Sequence, residues 1–143
     1  MPSTERFGVS MEEALLRRFD ALVEARGYAS RSEALRDLVR AELVKEEWAD
    51  PKADVVATIS VVYTHHEHHL GDALTDLQHE HHKNIVSTTH VHLDAHNCLE
   101  VIIARGRSAE VKAIADGLLS MRGVRHGGIV ATTTGTGIRK PFT

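Results

Sequence analysis

Residues 6–11, Arg6-Phe7-Gly8-Val9-Ser10-Met11, put Phe7, Val9 and Met11 on one side and Arg6, Gly8 and Ser10 on the other. A period of two is that of a short, half-buried strand. The next residues change period. Leu15, Leu16, Phe19, Leu22 and Val23 recur at helical spacing behind a Ser10–Glu13 capping box, and Gly27 supplies a stop. Ser30 and Glu33 form a second capping box, ahead of a helix carrying Ala34, Leu35, Leu38, Val39 and Leu43. Such a strand–helix–helix segment is too small to bury a stable core alone, and its single strand lacks a hydrogen-bond partner. Two chains that pair these strands antiparallel and pack their helices solve both problems. An obligate dimer is expected.

Working outward, Glu46–Asp54 is charged and contains Pro51, which reads as a linker. Val55–Tyr63 is rich in β-branched residues and reads as a strand, and Leu70, Leu74 and Leu77 mark a helix. Asn84–Leu93 and Cys98–Ala104 read as strands joined by the turn Asp94–Asn97. Ala109–Met121 is expected to be helical, with Val111, Ile114, Ala115 and Leu118 on one face, and Val124–Thr134 to be a last strand. The order β-α-β-β-α-β is that of a ferredoxin-like domain. The fold class is therefore α+β, with a β-α-α domain over 1–49, a βαββαβ domain over 54–135, and a tail, 136–143, without patterning that is read as a candidate disordered segment.

The composition narrows the function. The chain has 143 residues, 42% of them hydrophobic, and a formal net charge of -3, which is not that of a general polyanion binder. Any DNA contact must be local. No apolar run approaches the roughly 20 residues of a membrane span, and the N-terminus lacks the pattern of a secretory signal, so a cytoplasmic protein is expected. One cysteine excludes an internal disulfide. The histidine count, 11, is the outlying number, and most of these residues fall between His65 and His92. Histidine is the commonest transition-metal ligand.

The segment His90-Val91-His92-Leu93-Asp94-Ala95-His96-Asn97-Cys98 concentrates the chemistry. In a strand, His90 and His92 point the same way, and a short turn returns Cys98 beside them. Two imidazoles and a thiolate leave a coordination sphere incomplete, and His79, His81 or His82 at the end of the preceding helix could close it. This donor set suits zinc, copper and nickel alike, and spacing cannot choose between tetrahedral and square-planar geometry. The cluster His65, His66, His68 and His69 is read as a solvated turn before the helix, able at most to hold further metal weakly.

With these residues in place, the sequence resembles the NikR family of nickel-responsive repressors over roughly residues 5–134. The resemblance rests on RFGVSM with GYASRSEALRDLVR, on HVHLDAHNCLEV, and on RGVRHG at 122–127. It implies a ribbon-helix-helix DNA-binding domain followed by an ACT-like ferredoxin fold that binds metal and forms a homotetramer. Carried over, His90, His92 and Cys98 match the family's three nickel(II) ligands from one subunit. His79 matches the fourth, donated by a neighbouring subunit to a square-planar site. Glu100 resembles a carboxylate supporting the ligands, and Glu33 and Asp37 match carboxylates that help hold a cation between the domains. Paired ribbons of this kind enter the DNA major groove, so Arg6, Gly8 and Ser10 would face the bases and Arg31 and Ser32 a phosphate. Gly8 departs from the larger polar residue expected at the middle position and can make no side-chain hydrogen bond. The implied function is nickel-dependent repression of nickel-uptake genes from an operator with two half-sites. The competing readings are a histidine-rich metal storage or delivery protein, a metal-independent antitoxin-like regulator and, more weakly, a zinc enzyme. A site with four protein ligands lacks the open position that a catalytic zinc requires.

Overall fold

The computed structural model describes residues 3–66 and 69–136. The elements run α1 (Glu13–Ala25), α2 (Arg31–Ala49), β1 (Asp54–Thr64), α3 (Leu70–Glu80), β2 (Ile85–His92), β3 (Asn97–Arg107), α4 (Ser108–Leu119) and β4 (Val124–Thr133). The chain divides into two compact units, one ending at Leu43 and one beginning at Val44.

In the first unit, residues 3–12 form no regular element. An extended segment becomes a ribbon only against another strand, and among the described residues none runs beside Arg6–Met11 within one chain. Phe7 and Val9 are 76% and 61% exposed, and Leu15, Leu38, Val39 and Leu43 are exposed as well. The first helix departs from the expected cap: it starts at Glu13 behind Glu12, and no side chain caps it. Its end follows expectation. Gly27 takes a φ of 71°, its N–H donates to the Glu24 carbonyl, and Tyr28 N–H donates to that of Val23, each at 3.0 Å. These two bonds define a Schellman stop. The Ser30 cap also forms, its Oγ accepting the Glu33 N–H at 3.2 Å. Arg31 then grips Asp20 of α1 with two hydrogen bonds, at 2.7 and 2.8 Å, and this pairing lowers the Asp20 pKa.

The expected linker is shorter than the sequence suggests. Glu46–Ala49 is the last turn of α2, not loop. The cause is Trp48, which is buried and donates its indole N–H to the Thr132 carbonyl at 2.8 Å. The Trp48 carbonyl accepts from Ser108 Oγ at 2.6 Å and from Lys112 Nζ at 2.7 Å. Packing an aromatic side chain outweighs the charge of the segment around it.

The second unit is a four-stranded antiparallel sheet in the order β2-β3-β1-β4. That order, with α3 and α4 as crossovers, is the ferredoxin-like arrangement. One face carries the core. Val55, Ala57, Ile59, Val61 and Tyr63 of β1, with Cys98, Glu100, Ile102 and Ala104 of β3, alternate inward. Leu70 and Leu74 of α3 and Val111, Ile114, Ala115 and Leu118 of α4 are buried against them. Each fully buried Val, Leu or Ile contributes roughly 1.5–3 kcal/mol. The strand pairings put the inward side chains at the ends of β1, β2 and β3 together, and there the metal-ligand types collect.

Candidate metal centre

The register places His92 directly across from Cys98, Tyr63 across from Cys98 on the other side, and His90 across from Glu100. All five therefore share the face that carries the core. Cys98 is fully buried, whereas His90 and His92 are exposed. The ligand atoms of His65, His92 and Cys98 lie within 4.8 Å of one another. Cys98 Sγ is 3.6 Å from His92 Nδ1 and 3.7 Å from His65 Nδ1. Two nitrogens and a sulfur around one point are a donor set for nickel, zinc or copper.

The converging trio differs from the expected one in a single member. His92 and Cys98 meet as the hairpin requires. His65, read from the sequence as part of a solvated turn, takes the third place. Its position follows from β1: alternation carried two residues past inward-facing Tyr63 points His65 the same way. His90 stacks edge-on beside His92 with ring centroids 4.9 Å apart, but its Nδ1 faces the Tyr63 hydroxyl at 3.2 Å. Burial first, then the neighbouring Glu100 and Cys98, push the Tyr63 pKa up to about 12, so this phenol stays neutral at any working pH. His79 sits exposed on the last turn of α3 and is outside the trio within one chain.

Glu100, which the resemblance gives as a carboxylate supporting the ligands, is only 8% exposed. Gln78, next to His79, donates from Nε2 to Glu100 Oε1 at 3.4 Å and accepts from Thr88 Oγ1 at 2.7 Å. Thus α3 is tied to the hairpin one residue before the candidate fourth ligand. Elsewhere, Arg36 pairs with Glu33, and Arg40 Nη1 lies 2.7 Å from Asp37 Oδ1, so both carboxylates expected at an inter-domain cation hold arginines. His68 and residues 137–143 of the tail lie outside the described residues.

Family models match this chain in two adjoining blocks. Residues 5–46 match the ribbon-helix-helix proteins of the copG family, and residues 56–132 match the NikR C-terminal nickel-binding domain. The chain belongs to the NikR family of nickel-responsive regulators. Two relatives, each named "Putative nickel-responsive regulator", agree over nearly their whole length. One, from Geobacter sp. (strain M21), is 52% identical over 138 residues, covering 96% of this chain and 99% of its own. The other, from Geobacter metallireducens, is 54% identical over 135 residues, covering 94% and 97%. An uncharacterized Thermotoga maritima protein of known structure aligns with a TM-score of 0.50 at 12% identity, over 56% of this chain and 99% of its own, a likeness of fold alone. A NikR-family protein is a nickel-responsive DNA-binding regulator, not an enzyme. Nickel is its metal, and the imidazole–thiolate set at the β2–β3 hairpin fits it.

Proposed function

We propose that the chain is a nickel-dependent repressor of nickel-uptake genes, acting in the cytoplasm as a homotetramer on an operator with two half-sites. The observation that carries this reading is the convergence of His92 and Cys98, across one hairpin register, with further imidazoles beside them. In the loaded protein, His90, His92 and Cys98 hold nickel together with His79 of a neighbouring subunit. Nickel supplies a bridge between subunits. The chain's own residues do the rest: Gln78 and Glu100 orient α3 toward the hairpin, and Tyr63 fixes the His90 ring. His65 stands beside Cys98 as an alternative donor before the neighbour's imidazole arrives.

At the other end, the exposed apolar side of Phe7, Val9 and Leu15 favours pairing of two N-terminal units. The paired strands offer Arg6, Gly8 and Ser10 to base edges, and Arg31 and Ser32 at the start of α2 lie near the backbone phosphates. Arg6 is the side chain suited to guanine. Glu33 and Asp37 are proposed to take a cation between the domains by giving up Arg36 and Arg40. Metal binding selects among subunit arrangements only by binding one of them better.

Gel-shift titration against the chain's own upstream DNA tests this. Nickel is expected to tighten operator binding by at least tenfold in the natural chain and to have no effect on the Cys98→Ala variant. Equal affinity with and without nickel overturns the reading.

A further inference from the structure

The turn between β2 and β3 brings together two imidazoles that the proposed nickel ligands do not include. His66 Nε2 and His96 Nδ1 lie 3.1 Å apart, with ring centroids at 5.2 Å and planes tilted by 55°. Both side chains are exposed. Two nitrogens each about 2.0–2.1 Å from one ion, at the angles of a tetrahedral or square site, stand roughly 2.9–3.4 Å apart. The observed separation is that of two neighbouring ligands.

The backbone at His96 and at His65, next to His66, is anchored. The His65 N–H donates to the His96 carbonyl at 2.6 Å, which ties the end of β1 to the turn. Asp94 Oδ1 accepts the His96 N–H at 2.7 Å and the Asn97 N–H at 2.8 Å, and Asp94 Oδ2 accepts from Asn97 Nδ2 at 3.0 Å. That carboxylate is committed to the turn and is not counted as a ligand. Because the chain holds both rings near the bound geometry, little freedom remains to be lost when an ion arrives. The pair adjoins the trio at Cys98 without sharing a ligand with it: the His66 ring centroid is 5.7 Å from that of His65, whose Nδ1 lies 3.7 Å from Cys98 Sγ.

We propose that His66 and His96 form a second, surface metal site for a divalent transition ion that prefers imidazole. Water completes the coordination, and the site fills independently of Cys98. When an ion replaces the hydrogen bond between the rings, the ring that donates shifts its proton to its other nitrogen, so both imidazoles bind neutral and no net proton is released. The site does not depend on which histidines join Cys98 in holding nickel.

Zinc is the probe, because it is redox-inert and leaves nitrogen resonances sharp. Calorimetric titration of the full chain is expected to show two zinc ions per chain, the weaker class with two nitrogen ligands. In histidine side-chain 15N spectra, the second equivalent shifts His66 Nε2 and His96 Nδ1. His66→Ala and His96→Ala, both at exposed positions, should each weaken the second class at least tenfold. Each should leave the first class and the far-ultraviolet circular dichroism unchanged. A single class in the natural chain, or a second class that persists in both variants, overturns the proposal. So does loss of both classes in either variant.

Discussion

The Tyr63 hydroxyl oxygen stands 3.2 Å from Nδ1 of His90, while the Tyr63 ring is packed into the core. A phenol that engages Nδ1 leaves Nε2 of the same imidazole free for an ion and sets the ring's direction. Removing such a supporting partner typically costs ~10–100-fold in metal affinity. Tyr63→Phe keeps the buried ring and deletes only the hydroxyl. It should weaken nickel binding in a competition titration by that factor while thermal unfolding stays nearly unchanged. Unaltered nickel affinity would sink the role given to this hydroxyl.

Cys98 is the one soft donor beside His92, so the nickel-loaded protein should show a thiolate-to-nickel absorption band. Cys98→Ala should abolish that band. The same band in His65→Ala separates two ligand sets: it persists if His90 and the neighbour's His79 complete the site, and shifts if His65 does.

Asp94 holds the β2–β3 turn through hydrogen bonds from Asn97 and from the backbone of His96, and these draw its pKa down to about 2. The folded value lies below the unfolded one, about 3.9. Its contribution is therefore fully present above about pH 4 and is lost as pH falls through the folded value. A side-chain 13C titration of the full chain should place the Asp94 midpoint near 2. A midpoint near 4 would mean that the turn is not held in this way.

Ser30→Ala removes the side-chain acceptor of the Glu33 N–H at the start of α2. The expected loss is roughly 0.5–2 kcal/mol, confined to the N-terminal unit. Denaturant unfolding followed by hydrogen exchange should show faster exchange in α2 and none of the change in β1 or β3.

Gly127 is required by space. A Cβ there would meet Leu119 Cδ2 at 2.5 Å and the Ser60 carbonyl oxygen at 2.7 Å. The carbonyl belongs to the neighbouring strand and cannot step aside. Gly127→Ala should cost about 1–3 kcal/mol, whereas Gly128→Ala, with nothing within 4 Å, should be close to neutral within one chain.

The βαββαβ order was legible because its central elements carry a clean period: β1 alternates along its length, and Leu70, Leu74 and Leu77 keep helical spacing. The capping box at Ser30 was equally plain. Ser10 misled, because a capping box is a local pattern and the helix begins two residues later than it implies. Trp48 was missed because its environment is composed by Thr132, Ser108 and Lys112, all far away in sequence. At the metal centre, the H-x-H and the turn to Cys98 were visible as spacing along one hairpin. Tyr63 comes beside Cys98 only through the pairing of β1 with β3, whereas His65 follows from the alternation of β1 carried past its end. Gln78 is hidden because its partners, Glu100 and Thr88, lie on other elements, β3 and β2.

Cys98 has no surface of its own, so a reagent that attacks thiols must wait for the strand ends around it to part. Its modification rate then measures how often the mouth of the hairpin breathes. An ion held at that mouth should slow the clock, and thiol labelling becomes a direct gauge of how firmly the gate is latched.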